Sequence, residues 1–207
     1  MGINWGIMGT GNIAETFLKE FEYVKNGKVL AVASRSQEKA SNFAKKYRVE
    51  KAYQGYDMLV KDKDIDVVYI ATPHNYHCDN TILCLENNKS VLCEKPLAVN
   101  SKQVNKMINM AKEMNLFLME ALWTYFLPPI IKAKEWIDQG KIGDIRLFTA
   151  QFGFRTEVSI DNRLFNPELA GGALLDVGIY TISLANLFLP GKPVDIKAEG
   201  YIGNTKV

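Results

Sequence analysis

Along residues 1–122, short continuous apolar runs alternate with segments whose apolar residues recur at helical spacing. The runs are residues 3–8, Val29 to Ala33, Asp66 to Ala71, Ser90 to Cys93 and Leu116 to Met119. They are short and do not alternate apolar with polar, the pattern of strands covered on both faces. Between them, Ala14 to Val24 sets Ala14, Phe17, Leu18 and Phe21 on one helical face, and Ser36 to Tyr47 does the same with Ala40, Phe43, Ala44 and Tyr47. Tyr56 to Val60 suggests a short helix and residues 76–87 a longer one, while Asn100 or Ser101 caps a helix running to Met114. Strands and helices in alternation predict an α/β fold with a doubly wound parallel sheet.

The pattern changes after Pro128-Pro129, a pair that opens a helix ending near Gly140. Asp144 to Arg155 reads as a long strand, Gly172 to Leu189 as a helix stopped by Pro190-Gly191, and Val194 to Ile202 as one more strand. The division is therefore a first domain over 1–122 and an incomplete α/β domain with an antiparallel sheet over 123–207. One long strand, a helix and one further strand do not close a core of their own, so the chain reads as a truncated form of a longer enzyme. The other reading is a small two-stranded appendage packed on the first domain. A half-built sheet exposes an edge and an apolar face, so the chain is expected to self-associate.

Composition narrows the function classes. The chain has 207 residues, 47% hydrophobic and 23% charged, which is ordinary globular usage. Lys and Arg number 25 against 23 Asp and Glu, a net charge of +2, so neither nucleic acid nor an anionic membrane is an expected partner. No uninterrupted apolar run reaches the ~18–20 residues that span a bilayer. The N-terminal segment lacks the basic start and small-residue cleavage site of a secretory signal. Cys78, Cys84 and Cys93 fit neither a disulfide framework nor a zinc ribbon, and a cytoplasmic protein with reduced thiols is expected.

The first chemical signal is Gly9-Thr10-Gly11-Asn12-Ile13-Ala14, a G-x-G-x-x-A loop between an expected strand and an expected helix. In that context Gly9 permits a tight turn, Gly11 lets the backbone approach a diphosphate, and Ala14 lets the helix pack closely. The helix start then offers its unpaired N–H groups and partial positive charge to the anion. At the end of the second strand stand Ala33-Ser34-Arg35-Ser36, with no carboxylate to bind ribose hydroxyls. Two hydroxyls and a guanidinium suit a ribose 2′-phosphate, so NADP is expected before NAD. Ser36 as a plain helix cap beside a solvated Arg35 is compatible with either cofactor.

Glu94-Lys95-Pro96 follows a strand directly, at the edge where open α/β sheets bind ligands. Proline restrains the residue before it, and a lysine held there can stabilise a developing alkoxide. Taken alone, a lysine at a strand end is also an ordinary solvated side chain. Asp176 and Tyr180 are four apart on an otherwise apolar helix, so the expectation is that they share a face. Polar groups on such a helix need partners or work if they are buried, and simple exposure is the alternative.

Together these residues resemble the Gfo/Idh/MocA oxidoreductases. The resemblance rests on GIMGTGNIA at 6–14, ATPHNYH at 71–77, CEKP at 93–96 and AGGALLDVGIY at 170–180, in family order. LMEALWTYFLP at 118–128 is similar to the dihydrodiol dehydrogenase and NADP-linked xylose dehydrogenase branch. The resemblance implies an N-terminal Rossmann domain and a second α/β domain with a large, mostly antiparallel sheet. It implies a nicotinamide near Thr72, Pro73, His77, Glu94 and Lys95, with Trp123 beside it. Lys95 and Tyr180 then assist hydride transfer from a carbohydrate carbinol, and Asp176 binds substrate or relays a proton. It also implies a homo-oligomer in the complete form. His74 and His77 have no surrounding ligand pattern for zinc, and no metal is expected.

The leading expectation is hydride transfer between NADP(H) and a carbinol of a sugar, polyol or cyclic diol. The alternative is a non-catalytic nucleotide-binding regulator or an inactive truncated remnant. A methyltransferase using the same glycine loop leaves Glu94-Lys95-Pro96 unexplained.

Overall fold

A computed structural model describes residues 2–189 and 191–207. The chain forms two compact units, Met1–Ala121 and Leu122–Val207.

The first unit is a six-stranded sheet, β1 (Ile3–Met8), β2 (Gly27–Ser34), β3 (Lys51–Gln54), β4 (Val67–Ile70), β5 (Ser90–Glu94) and β6 (Leu118–Ala121). Their order is β3-β2-β1-β4-β5-β6 and every pairing is parallel, which meets the doubly wound expectation. The connecting helices are α1 (Asn12–Glu20), α2 (Gln37–Tyr47), α3 (Tyr56–Lys61), α4 (His77–Glu86) and α5 (Ser101–Glu113).

The sheet is covered on both faces. On one, Met8, Leu30, Val68, Ile70, Val91 and Cys93 pack with Cys84, Leu85 and Met107 from α4 and α5. On the other, Ile7, Val32 and Tyr69 pack with Ala14 of α1 and Phe43 and Ala44 of α2. Adjacent residues such as Ile7 and Met8 thus enter opposite cores, which is why the runs are continuously apolar. The Phe17 ring of α1 stacks on Tyr69 of β4 with centroids 3.8 Å apart, fixing α1 on the sheet.

Several details differ from the sequence expectations; β2, for example, runs over Gly27–Ser34 rather than Val29 to Ala33. α1 ends at Glu20 and is followed by a 3-10 turn over Phe21–Tyr23. β3 was not expected: its four residues, Lys-Ala-Tyr-Gln, carry little apolar signal and pair with β2 alone. β6 starts at Leu118 rather than Leu116.

The second unit contains a 3-10 turn over Trp123–Phe126, helix α6 (Pro128–Asp138), 3-10 turns over Arg163–Phe165 and Pro167–Leu169, and a π turn over Leu174–Gly178. The π turn leads into α7 (Ile179–Phe188); the expected stop at Pro190 lies outside the described residues. Pro167–Phe188 is long and apolar enough to cross a membrane by length and composition. It is not one continuous helix, because Ala170 and Gly172 take positive φ of 56° and 103° between Leu169 and the π turn. The antiparallel sheet is not found: among the described residues no strand lies beyond Ala121. Residues 144–155 and 194–202 have strand-like composition, but a strand needs a ladder partner and neither segment has one here.

Candidate functional site

Because all six strands are parallel, the residues following β1, β2, β4, β5 and β6 emerge on one edge. β1 and β4 lie side by side where the chain order reverses, the place where such sheets open a crevice. Gly9 and Thr72 follow those two strands.

The turn after β1 requires its glycine. Gly9 has φ of 110°, and a Cβ there would sit 2.7 Å from the Ala71 carbonyl oxygen. Gly11 differs: a Cβ would meet nothing within 4 Å, so the backbone at the start of α1 is open to an approaching group. Gly11 caps α1 without a side chain, so no side chain of the cap residue competes for the first-turn N–H groups. Thr10 is half-buried, while Asn12 and Ile13 are exposed at the same opening. Ala14 is fully buried against the sheet. These features fit a dinucleotide diphosphate at this helix start.

At the end of β2, Ser34 is buried and its Oγ accepts from the Ser36 amide at 3.5 Å. Ser36 caps α2, its Oγ accepting from the Lys39 amide at 3.4 Å. Capping uses an oxygen lone pair and leaves the hydroxyl proton able to face a phosphate. Arg35 is exposed between the two.

Glu94 ends β5 with its carboxyl buried. The Tyr69 hydroxyl donates to Oε1 and the Lys95 amide donates to Oε2 at 3.2 Å. Burial pushes the Glu94 carboxyl above its ordinary value, against the Tyr69 and Lys95 hydrogen bonds. On the neighbouring strand Glu120 accepts the Leu97 amide at 2.7 Å, and burial raises its carboxyl as well. The sequence pattern missed Glu120; its signal is a carboxylate inside the apolar strand Leu-Met-Glu-Ala. Lys95 is half-buried beside these acids, and its charge favours ionisation of both. The Lys95–Pro96 peptide is cis.

Thr72 is buried and Pro73 half-buried at the turn after β4. His77, the first residue of α4, is fully buried rather than open at the crevice. Its Nδ1 lies 2.7 Å from the Pro96 carbonyl oxygen and its Nε2 lies 2.8 Å from the Thr72 carbonyl oxygen. Burial pushes the imidazole below its ordinary value. Among the described residues no group of three or more His, Cys, Asp or Glu is placed to hold a metal.

In the second unit, Asp176 lies in the π turn with Tyr180 in α7 just beyond it. Asp176 is buried and its Oδ1 accepts from Arg163 Nη1 at 3.2 Å. Arg163 was not singled out from the sequence, where it stands as one cation in a turn-rich stretch. Gly171 lets that stretch close: a Cβ there would lie 2.7, 2.8 and 2.9 Å from the carbonyl oxygens of Arg163, Leu164 and Asn166. Tyr180 accepts from the indole N–H of Trp123 at 3.1 Å, and Phe152 lies against its ring with centroids 5.3 Å apart. Trp123 itself is half exposed.

Residues 3–122 match the family model described as an oxidoreductase family with an NAD-binding Rossmann fold, and residues 130–206 match the GFO/IDH/MocA C-terminal domain. The chain belongs to the Gfo/Idh/MocA family. Within it, the chain is 41% identical over 210 residues to trans-1,2-dihydrobenzene-1,2-diol dehydrogenase of Xenopus laevis, covering 100% of this chain and 63% of the relative. The Mus musculus enzyme of the same name is also 41% identical, with 62% of its length covered. Among solved family structures, a 3-ketoreductase from Actinomadura kijaniata in complex with NADP and TDP-benzene superposes with a TM-score of 0.84 at 32% identity. That match covers 91% of this chain and 57% of the ketoreductase. The chain thus spans somewhat under two thirds of the length of its curated relatives.

Proposed function

We propose that the protein moves a hydride between NADP(H) and a carbinol carbon of a sugar, polyol or cyclic diol. The carrying observation is the sheet edge, where a glycine-framed helix start open at Gly11 shares one rim with Lys95. The dehydrogenase names of the relatives and the NADP bound to the ketoreductase support the same chemistry.

A nicotinamide bound at this edge would supply the hydride acceptor or donor. The Gly9–Ile13 backbone and the start of α1 hold the diphosphate, and Thr72 and Pro73 border the ring. Ser34, Arg35 and Ser36 take the 2′-phosphate, with NAD the second choice. The Lys95 ammonium donates to the carbinol oxygen and steadies it as it loses its proton. Tyr180 gives its phenol proton to the carbonyl oxygen in reduction, and in oxidation the phenolate takes the carbinol proton. Asp176 orients the substrate hydroxyls. Cytoplasmic placement belongs to the same proposal, supported by three free, buried cysteines. So does a homo-oligomer in the complete form.

The test is a fluorescence titration with NADPH followed by a screen of sugars, polyols and cyclic diols at the nicotinamide absorbance band. Binding with turnover is the expected result. Binding without turnover would favour a nucleotide-binding regulator, and failure to bind either cofactor would overturn the reading.

A further inference from the structure

Two turns on the crevice edge carry the residues that the proposed chemistry needs. One is Thr72-Pro73 after β4; the other is Lys95-Pro96 after β5. They belong to separate strand ends, so nothing in the sheet ladder fixes one against the other once the strands stop.

The side chain between them is His77. Its Nδ1 meets the Pro96 carbonyl at 2.7 Å and its Nε2 meets the Thr72 carbonyl at 2.8 Å, in a setting with no exposure to water. Three positions along the same helix, Asn80 Nδ2 donates to Thr72 Oγ1 at 3.0 Å, so α4 grips Thr72 by both backbone and side chain. The turn after β5 has its own anchor in Glu120, which accepts the Leu97 amide at 2.7 Å. His77 differs from both Asn80 and Glu120 in reaching the two turns at once. A buried carbonyl left without a donor is costly, so each contact restrains the backbone that carries it. A neutral imidazole has one N–H to give, so it serves one of the two carbonyls at a time through its two tautomers, and only an imidazolium serves both at once.

We propose that His77 is a positioning residue that locks the Thr72-Pro73 turn to the Lys95-Pro96 turn, setting where Lys95 stands relative to the cofactor. The inference rests on the function proposed above for its catalytic meaning and on geometry alone for the clamp itself. His77 touches no reacting atom in this arrangement. It acts through the two backbones.

The two ring nitrogens can be separated by substitution. An asparagine amide nitrogen falls near the place of Nδ1, and a glutamine amide nitrogen near the place of Nε2. His77→Asn should keep the Pro96 contact and lose the Thr72 contact; His77→Gln should do the reverse. In the full chain without ligand, hydrogen exchange should accelerate at Tyr76 in the Asn variant and at Leu97 in the Gln variant. Each change should be about three- to tenfold, the scale of one hydrogen bond. His77→Ala should accelerate both. With NADPH as the probe, loss at Thr72 should fall mainly on cofactor affinity and loss at Pro96 mainly on turnover. Equal acceleration at both turns in the Asn and Gln variants, a uniform rise across the sheet, or no change at either turn would each overturn the clamp. A wild-type chain that fails to bind NADPH would sink the proposed function instead, while the exchange pattern still decides the clamp.

Discussion

Trp123 donates its indole N–H to the hydroxyl oxygen of Tyr180 across 3.1 Å, and the two rings meet edge to face with centroids 6.0 Å apart. A bond donated into a phenol oxygen strengthens as that oxygen gains negative charge. If Tyr180 gives up its proton in the proposed reaction, the Trp123 indole would support the charge left on its oxygen. Tyr180→Phe and Lys95→Met should each lower turnover by ~10²–10⁴-fold, the usual span for a lost acid–base group. The double variant should lose little more than either single one, because parts of one catalytic unit are non-additive. Trp123→Phe should cost roughly tenfold in kcat in the wild type and almost nothing in the Tyr180→Phe background. Steady-state kinetics on the four Trp123 and Tyr180 combinations check this, and a Trp123 effect that persists without Tyr180 would give the indole another role.

The parallel sheet was legible because both of its faces are buried, which turns strands such as residues 66–71 into unbroken apolar runs. β3 was not, because an edge strand of four residues with one neighbour needs little apolar surface. The strands expected at 144–155 and 194–202 failed for a different reason. Pattern reports what a segment could pair with, whereas the ladder depends on a partner elsewhere. The placement of the glycine loop and of Glu94-Lys95 at strand ends was readable since each sits in sequence beside its strand. Glu120, Arg163 and Asn80 meet partners 23, 13 and 8 positions away, beyond the spacing of any local pattern. His77 was marked as a residue near the nicotinamide, yet its two carbonyl partners, 5 and 19 positions away, emerge only in three dimensions.

Cofactor choice is the next expectation. Arg35 is exposed at the end of β2 between two serines whose oxygens accept backbone N–H groups. If it pairs with a 2′-phosphate, Arg35→Ala should weaken NADPH by about 1.5–3 kcal/mol, the value of a hydrogen bond to a charged group, and leave NADH almost unchanged. Parallel titrations of the two cofactors decide it. Equal losses, or a wild type that prefers NADH, would count against NADP.

The Arg163–Asp176 pair makes a stability prediction within the second unit. Asp176 has a side chain only 9% exposed, whereas that of Arg163 is 49% exposed. Removing the guanidinium takes away one charged partner of a buried carboxylate, so Arg163→Met should destabilise this unit by about 1–3 kcal/mol, less than a fully buried pair would lose. Adding Asp176→Asn to Arg163→Met should recover much of that loss, because a neutral amide needs no counter-charge. Denaturant melts of the three variants measure it. If Arg163→Met melts like the wild type, the pair is an ordinary surface contact.

Glu94 predicts a pH dependence of stability whose sign runs opposite to that of a salt-bridged acid. Burial raises its carboxyl from the ordinary 4.5, so the folded chain keeps this proton to higher pH than the unfolded chain does. Where the folded state binds more protons, stability falls as pH rises. The Glu94 contribution should therefore be flat below about pH 4.5, decline as pH climbs through the raised folded value, and level off beyond it. Glu120 is raised by the same cause and adds a decline of the same sign. His77, lowered by burial from 6.5, works the other way over the pH range just below that value. Glu15 and Asp62 are lowered, Glu15 to about 2, and their stabilisation is lost at more acidic pH. The Glu94 effect is isolated by comparing slopes rather than absolute stabilities. Glu94→Gln should remove part of the decline above pH 4.5, whatever constant offset the amide introduces beside Tyr69 and the Lys95 amide. Urea unfolding of wild type and Glu94→Gln at matched pH values from 4 to 8 gives the two slopes, and identical slopes would mean that Glu94 ionises in the fold as readily as in water.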